Sequence, residues 1–334
     1  MNSTNGIITV FAGSASRPFA QKMCDYLGVE LGKSTTHIFS EGGIYVRADE
    51  SIRNKDVYIV QSIGKDPNNA FTELIFWIDA FKRASANSIT AIIPYFGYAK
   101  ADKKDEPRVS IRARVCADCI EMCGADRVVT MDLHAAQVQG FSKPVDHLYA
   151  SALLCEYARH LGIVNENLVV VSPDAGSAKR ARAYANILGC NVAIGDKVRI
   201  GHDENPNALE IIGDVKGKTC MVVDDFTISG NTLCKVAYGL MDKGAKEIYA
   251  FLSHAIVKED AVKRIEESPI KMLVTTDTVD NTDVLKNSKK IKVVSAAPLF
   301  AEAVRTIHER EPMAYMFEHL PARLMEMSFE DTDK

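Results

Sequence analysis

Residues 222–232 read VVDDFTISGNT, and this stretch indicates how the chain is built. An apolar run ends in two adjacent carboxylates, and a loop of small and hydroxyl residues then leads into a helical pattern. Apolar residues recur there at i, i+3, i+4, i+7 and i+8 from Leu233 to Met241, and Gly244 follows as a helix stop. The order of strand, loop and helix is that of a βαβ unit.

The same alternation of apolar runs and helical patterns continues along the chain. Several runs are apolar on successive residues, which is typical of strands covered on both faces. The alternation predicts right-handed βαβ units and a mostly parallel sheet, with ligands bound beyond the carboxyl ends of the strands. The predicted strands are 56–62, 89–96, 127–133, 167–172, 218–225, 247–255, 271–277 and 290–295.

The length of the chain predicts two domains. A chain of 334 residues is long enough for two ordinary domains. The segment PVDHLYASALL (144–154) follows a strand–loop unit and opens a new helix near the midpoint of the chain. The predicted fold class is therefore α/β, with two similar domains that are each a mostly parallel sheet flanked by helices. Their predicted extents are 1–149 and 150–325, and the second carries the loop of residues 228–232.

The composition narrows the class of partner. Hydrophobic residues make up 47% and charged residues 25%, which fits a folded globular protein. The formal net charge of −4 gives no general attraction to phosphate polymers, so no nucleic-acid partner is expected. No apolar run reaches the roughly 18–20 residues that span a bilayer, and the start lacks the basic segment of a signal peptide. We therefore expect a cytoplasmic protein without a membrane partner.

Three of the eight cysteines, at positions 116, 119 and 123, allow two interpretations. Their spacing of i, i+3 and i+7 places them on one face of a helix that Gly124 ends. Thiols on such a face are either packed as small hydrophobic groups or part of a metal site. A closed zinc site needs a fourth ligand, and the sequence offers no evident one nearby, so buried packing is favoured.

The stretch VVDDFTISGNT also predicts a ligand. Strand alternation places Asp224 and Asp225 on opposite sides, and at the exposed end of the strand at least one of them can meet a ligand. The backbone N–H groups of the following helix start suit a phosphate, and Gly230 lets the backbone approach closely. Carboxylates are acceptors matched to the vicinal hydroxyls of a sugar. The pattern predicts a sugar-phosphate site, and the alternative is a capped strand–helix turn with incidental acids.

Longer stretches carry a resemblance to a known family. The segments DLHAAQVQGFSKPVDHLYA (132–150) and VSPDAGSAKRAR (171–182) resemble ribose-phosphate pyrophosphokinases, and the similarity covers nearly the whole chain. The resemblance implies two phosphoribosyltransferase-type domains. It also implies transfer of the β,γ-pyrophosphoryl group of ATP to the 1-hydroxyl of ribose 5-phosphate, with Mg²⁺, for nucleotide biosynthesis. A homo-oligomer, with dimers assembling to a hexamer, is expected on the same ground.

The resemblance places the ribose 5-phosphate site on the opening stretch. The paired aspartates would hold the ribose hydroxyls, and the loop after them would hold the 5-phosphate. The family usually has Asp and Thr where Ile228 and Ser229 stand, and serine keeps the hydroxyl. The residues implied are Asp224, Asp225, Ile228, Ser229, Gly230, Asn231 and Thr232.

A magnesium site and two catalytic cations are implied as well. His134 and Asp174 match metal positions of the family, and Asp132, two residues before His134 at a strand end, is expected on the same side. Lys197 and Arg199 match cations of a loop that closes over the reacting phosphates, where they would neutralise developing charge. Without the resemblance, His134 would more often be structural, Asp174 could equally cap a helix, and both cations would be ordinary solvated charges.

A nucleotide site is implied in the first domain. The family's Phe-Ser-Asn/Asp-x-Glu is FSEGG here, and its Tyr-Ala-Arg-Gln is YAKA. Lysine in place of arginine removes a planar group that can stack on adenine. The alternative for the charged run 99–108 is a solvated loop. The residues assigned to ATP are Phe39, Glu41, Gly42, Gly43, Lys100, Ala101 and Asp105.

Two other functions are weighed against this enzyme. The first is a non-catalytic partner subunit that resembles the family and regulates the true synthetase. The altered adenine segments favour it slightly, and the retained Lys197, Arg199 and paired aspartates argue against it. The second is a salvage phosphoribosyltransferase, which the doubled length and the motifs DLHAAQ and SPDAG make less favoured.

Overall fold

The computed structural model describes residues 8–141, 143–197, 209–317, 319–325 and 329. The strands are β1 (Ile8–Ala12), β2 (Ser34–Ile38), β3 (Ile44–Ala48), β4 (Asp56–Val60), β5 (Ser88–Ile93), β6 (Arg127–Met131), β7 (Val145–Leu148), β8 (Leu168–Ser172), β9 (Asn191–Lys197), β10 (Leu209–Ile212), β11 (Thr219–Thr227), β12 (Glu247–Ala255), β13 (Met272–Thr276) and β14 (Ile291–Val294). The helices are α1 (Arg17–Leu27), α2 (Pro67–Arg83), α3 (Arg112–Cys123), α4 (Ser151–His160), α5 (Ala178–Leu188), α6 (Asn231–Asp242), α7 (Glu259–Glu266), α8 (Thr282–Leu285), α9 (Ala297–Glu309) and α10 (Ala322–Met325). Within these described ranges, no helix has the length and apolar character needed to cross a membrane.

Two sheets are built mainly from parallel strands. The first has the order β1-β4-β5-β6-β7, and every pair is parallel. The second has the order β10-β9-β8-β11-β12-β13-β14 and is parallel except for β10, which is antiparallel to β9. β2 and β3 form a separate antiparallel hairpin. The predicted α/β class with mostly parallel sheets is confirmed.

Burial follows the apolar patterns of the sequence. Every residue of β8 is buried, as expected of a strand covered on both faces. Met241, the last residue of the stripe predicted on α6, is exposed because it lies at the edge of the apolar face, and the helix ends just before Gly244, whose φ is 82°. The other four stripe residues are buried in the core of the second sheet: Leu233, Val236, Ala237 and Leu240.

The chain divides into two compact units. Unit 1 contains Met1–Tyr149, Thr278–Asp280 and Ala296–Glu326, and unit 2 contains Ala150–Asp277, Asn281–Ser295 and Met327–Lys334. The predicted second domain of 150–325 therefore differs from unit 2 at its C-terminal end, because α9 packs against α1 of unit 1. The hydroxyl of Tyr26 donates a hydrogen bond to Glu302 of α9 at 2.8 Å, and the rings of Phe19 and Phe300 meet edge-on at 5.4 Å.

The eight predicted strands are all present, with ends shifted by a few residues. The six strands outside those eight ranges are β1, β2, β3, β7, β9 and β10. β2 reads STTHI and β3 reads IYVRA, and no residue of either strand is fully buried, so neither resembles the long apolar runs of the covered strands. β7 and β10 have four residues each and lie at sheet edges, where short strands leave little pattern.

The cysteine-bearing helix is α3, which ends before Gly124 at a φ of 120° as predicted. Cys116 is buried in the core of unit 1, and Cys123 packs against that core. Burial raises the pKa of the Cys116 thiol to about 12, so this thiol is neutral at ordinary pH. Throughout the described parts of the chain, no three His, Cys, Asp or Glu side chains are grouped as metal ligands would be.

Candidate active site

The carboxyl ends of three neighbouring strands meet at one edge of the unit 2 sheet. β8 lies between β9 and β11 and is parallel to both, so all three end on the same side. Asp174 follows β8, Lys197 ends β9, and the paired aspartates lie near the end of β11. Parallel sheets bind ligands at this edge.

Asp224 and Asp225 share the guanidinium of Arg180, which lies on α5. Its Nη1 is 3.4 Å from Oδ1 of Asp224, and its Nη2 is 3.5 Å from Oδ2 of Asp225. The two aspartate side chains are 17% and 4% exposed. The two side chains were expected to point to opposite sides of the sheet, but both carboxylates reach the guanidinium of Arg180. The register of β11 with β12 is the same on both sides of Asp225, since Asp224 pairs with Leu252 and Phe226 with His254. The two side chains therefore converge on Arg180 without a break in the strand.

Ser177 links the aspartate pair to Asp174. The Ser177 hydroxyl donates to Oδ1 of Asp224 at 3.1 Å, and its backbone N–H donates to Oδ1 of Asp174 at 2.9 Å. Asp174 thus makes the type of hydrogen bond that a helix-capping carboxylate makes, as the structural alternative predicted. The side chains of Asp174, Ser177, Arg180, Asp224 and Asp225 form one connected network at the sheet edge.

The charge balance of this network is unusual. Burial raises the pKa of the Asp224 carboxyl to about 7; the charge of Asp225 and a hydrogen bond with it add to the rise, and Arg180 opposes it. One guanidinium is thus shared by two carboxylates that water solvates poorly. A ligand that donates O–H groups to these oxygens would replace the missing solvation.

The loop after β11 leads directly into the N-terminus of α6. Ile228 and Ser229 are exposed, and Gly230 is the buried N-cap of the helix with a φ of 71°. A Cβ added to Gly230 would lie 3.3 Å from Cγ1 of Ile265, so both backbone and packing favour glycine. Arg264 donates a hydrogen bond to the carbonyl of Ser229, which fixes the loop to α7.

This loop presents the groups that the sequence predicted. The first N–H groups of a helix have no acceptor within the helix and carry a partial positive charge. Asn231 and Thr232 occupy the first turn of α6, with Asn231 exposed and Thr232 half-buried. An anion placed here would meet backbone donors together with the hydroxyls of Ser229 and Thr232.

The two predicted catalytic cations are described only in part. Lys197 is the last residue of β9 and its backbone pairs with Leu209 of β10, so the chain leaves the sheet at the same edge as Asp174. Arg199 lies outside the described residues.

In unit 1, Asp132 and His134 follow β6 but differ in their environment. β6 ends at Met131, and Asp132 is buried with a φ of 40°. His134 is exposed. The prediction that the two side chains share a side rested on strand alternation, and the chain has left the strand conformation at Asp132. The N–H of Leu133 donates to Nε2 of buried His147 at 2.8 Å, which holds this turn.

The residues assigned to the nucleotide lie in two segments of unit 1. Residues 39–43 form the tip of the β2–β3 hairpin, where the N–H of Phe39 donates to the carbonyl of Gly43 at 2.8 Å and Gly42 has a φ of 88°. The Phe39 ring is 45% exposed. In the loop after β5, Lys100 and Asp105 are exposed, whereas Ala101 is buried.

Sequence reasoning missed Ser177, Arg180 and His147. Ser177 and Arg180 stand three residues apart, so they share one face at the start of α5, directly after Asp174. That spacing was available in SPDAGSAKR as a signal. The role of His147 depends on a contact across β6 and β7, which local spacing does not reveal.

Two family models match parts of this chain. A family described as the N-terminal domain of ribose phosphate pyrophosphokinase matches residues 8–124. A second, the phosphoribosyl synthetase-associated domain, matches residues 198–318.

Individual relatives match over almost their whole length. A ribose-phosphate pyrophosphokinase of Clostridium tetani is 44% identical over 316 residues, covering 93% of this chain and 97% of the relative. One of Caldanaerobacter subterraneus is 45% identical over 313 residues, covering 93% and 98%. The crystal structure of phosphoribosylpyrophosphate synthetase from Mycobacterium smegmatis superposes with a TM-score of 0.85 at 37% identity, covering 91% of this chain and 99% of the other. The chain therefore belongs to the ribose-phosphate pyrophosphokinase family.

Proposed function

We propose that this chain transfers the β,γ-pyrophosphoryl group of ATP to O1 of ribose 5-phosphate, giving phosphoribosyl pyrophosphate and AMP. The observation that carries the proposal is the pair of carboxylates, half-buried Asp224 and buried Asp225, placed one short loop before a helix N-terminus. This arrangement offers acceptors for hydroxyls at one end and donors for a phosphate at the other. The relatives named above are enzymes of this kind, which favours catalysis over a purely regulatory partner subunit.

The sugar would be held at both ends. Asp224 and Asp225 would accept hydrogen bonds from the vicinal ribose hydroxyls. The guanidinium of Arg180 contacts both carboxylates and keeps them in place. Residues 228–232 bind the 5-phosphate through backbone N–H groups and hydroxyls. Gripping both ends orients O1 toward the β-phosphorus, so that little motional freedom remains to be lost in the transition state.

Lys197 and Arg199 are the proposed catalytic cations. As O1 forms its bond to the β-phosphorus, the bond from that phosphorus to the oxygen bridging the α- and β-phosphates breaks, and the proton of O1 passes to water. Negative charge then shifts onto the AMP leaving group, and nearby cations stabilise it. No covalent enzyme intermediate is required.

Mg²⁺ is the proposed cofactor, and it would neutralise charge on the nucleotide phosphates. Mg²⁺ prefers oxygen ligands and commonly takes one or two carboxylates together with phosphates and water. The half-buried carboxylate of Asp174 fits this preference. His134 and Asp132 are proposed as metal ligands on the family resemblance alone; in unit 1 the His134 side chain is exposed and Asp132 is buried.

The remaining assignments are also proposals. The adenine nucleotide would be held by the hairpin tip and by the loop after β5. We further propose a cytoplasmic homo-oligomer in which dimers assemble to a hexamer. The nucleotide residues proposed are Phe39, Glu41, Gly42, Gly43, Lys100, Ala101 and Asp105.

A coupled assay tests the proposed reaction. The purified chain is incubated with Mg²⁺, ribose 5-phosphate and ATP, and AMP formation is followed; other nucleoside triphosphates are compared in parallel. AMP formation that depends on ribose 5-phosphate is expected. Absence of AMP with the purified chain alone would favour the regulatory subunit, and consumption of a nucleobase with phosphoribosyl pyrophosphate would favour a salvage transferase.

Replacing Gly230 by alanine is expected to weaken ribose 5-phosphate binding. Its φ of 71° disfavours a Cβ, and the added atom would contact Ile265 at 3.3 Å. The loop must shift, so we expect the KM for ribose 5-phosphate to rise about tenfold, together with a stability loss of about 1–2 kcal/mol. The control is Gly28→Ala at the end of α1, where φ is 68° and nothing lies within 4 Å of the added Cβ. An equal KM in both variants would contradict the role given to the loop.

Replacing Arg180 by lysine tests the link between the aspartates. An ammonium group is a single point charge and cannot reach both carboxylates as a forked guanidinium does. We expect the KM for ribose 5-phosphate to rise roughly five- to thirtyfold, since about 1–2 kcal/mol of pairing is lost. Arg182→Lys, on the same helix but exposed, serves as the control. Unchanged sugar affinity in Arg180→Lys would rule out the proposed positioning.

A further inference from the structure

A buried carboxylate in unit 1 lies outside all the sites considered so far. Glu73 of α2 is only 2% exposed. Its Oε1 accepts hydrogen bonds from Ser14 N at 2.9 Å, Thr36 Oγ1 at 3.2 Å and Trp77 Nε1 at 3.3 Å. Its Oε2 accepts from Gln61 Nε2 at 2.9 Å and from the hydroxyl of Ser14. Five donors thus meet a group that has about four lone-pair sites.

No lysine or arginine among the described residues is paired with Glu73. A buried carboxylate without a cation is costly unless hydrogen bonds compensate for its lost hydration. Each of the five donors therefore matters to this carboxylate more than it would at the surface. Removing one of them weakens a network that other donors cannot easily complete.

The donors come from separate parts of unit 1. Ser14 begins the turn between β1 and α1, and Gln61 directly follows β4. Thr36 lies in β2 of the hairpin, and Trp77 lies one turn along α2 itself. Glu73 therefore connects the carboxyl ends of two parallel strands to the hairpin.

The two strands of the hairpin are attached to unit 1 in different ways, and β3 is the strand that packs along α2. An isolated two-stranded hairpin is only marginally stable in water. No residue of β2 or β3 is fully buried, and Val46 and Ala48 are the partly buried residues that pack against the core of unit 1. The hydrogen bond from Thr36 to Glu73 is a polar link between β2 and the buried core of unit 1.

We propose that Glu73 is a positioning residue for the nucleotide: through Thr36 it fixes the β2–β3 hairpin, and with it the segment 39–43 at its tip. This inference rests on the proposed function for its nucleotide. The attachment of the hairpin to the network of Glu73 does not depend on that function, because it follows from the hydrogen bonds alone. Phe39 and Glu41 would then meet the nucleotide without first ordering the hairpin, which lowers the cost of binding.

The test compares two valine substitutions on one strand. Thr36→Val removes the hydroxyl that donates to Glu73, whereas Thr35→Val removes a neighbouring hydroxyl that donates to Asp49 at 2.6 Å. For Thr36→Val we expect the KM for ATP to rise about three- to tenfold, with the KM for ribose 5-phosphate and kcat nearly unchanged. Amide hydrogen exchange over residues 34–48 should accelerate by a similar factor, while β5 and β6 keep their protection. Thr35→Val should show neither effect.

Glu73→Gln extends the test. Glutamine offers one acceptor oxygen and turns an NH₂ toward groups that are themselves donors, so we expect a larger rise in KM for ATP than in Thr36→Val. If Glu73→Gln does not fold, the comparison of Thr36→Val with Thr35→Val still tests the proposal. Equal KM values for ATP in the two valine variants, or unchanged exchange over 34–48, would overturn the proposal. A wild-type chain that forms no AMP would instead overturn the proposed function, and the exchange comparison would still test the attachment of the hairpin.

Discussion

Replacing Lys197 by alanine is expected to lower turnover by roughly 10³- to 10⁵-fold, the range seen for cations that act on transferred phosphoryl groups. Lys197 ends β9 at the same sheet edge as Asp174. A cation there stabilises charge that is greatest in the transition state, so the loss should fall on kcat rather than on either KM. Steady-state measurement of AMP formation checks this.

The control for this prediction is Lys243→Ala, which removes an exposed cation after α6. It should leave kcat unchanged. If Lys197→Ala lowered turnover by less than about tenfold, which corresponds to roughly 1.4 kcal/mol, Lys197 would not be a catalytic cation.

Replacing Asp224 by asparagine should stabilise the fold while damaging sugar binding. The pKa of this carboxyl is raised to about 7 in the folded chain by burial and by Asp225. Above that pH the folded state holds two buried carboxylates on one guanidinium, and the substitution leaves a balanced pair of Asp225 and Arg180. We expect the free energy of unfolding at pH 8 to rise by about 1–3 kcal/mol. Each unit by which the pKa is raised costs the folded state about 1.4 kcal/mol when Asp224 is charged, and Arg180 relieves part of this cost.

The pH dependence of that gain has a definite sign. Because the folded pKa lies above the unfolded value, the folded state takes up a proton first as pH falls. The cost of the charged Asp224 is fully present above pH 7 and is lost as pH falls toward the unfolded value near 4. The stability difference between Asp224→Asn and wild type should therefore shrink between pH 8 and pH 5 in denaturant titrations.

Sugar binding should change in the opposite direction. An amide replaces a carboxylate that accepts from ribose hydroxyls, so the KM for ribose 5-phosphate should rise about 10- to 100-fold. Asp214→Asn is the control, because Lys218 lowers the pKa of that exposed carboxyl. Its stability effect should be small and of opposite sign. Loss of stability in Asp224→Asn at pH 8 would contradict the charge balance described for the pair.

The parts of the fold that follow from local periodicity are predictable from the residues alone. The apolar stripe of α6, its stop before Gly244 and the eight predicted strands are all present. They were predictable because a helix or a buried strand places neighbouring residues by a repeat that is visible within a few turns. The loop of residues 228–232 was also predictable from local sequence, because Gly230 and the start of α6 are contiguous in the chain.

Which distant side chains converge is known from the folded chain and not from local sequence patterns. Arg180 reaches Asp224 from 44 residues away, and Glu73 meets Ser14 from 59 residues away. The return of α9 to unit 1 likewise depends on packing against α1. Such contacts depend on the order in which strands pair and on where the chain crosses over, and no local repeat of residues encodes either of these.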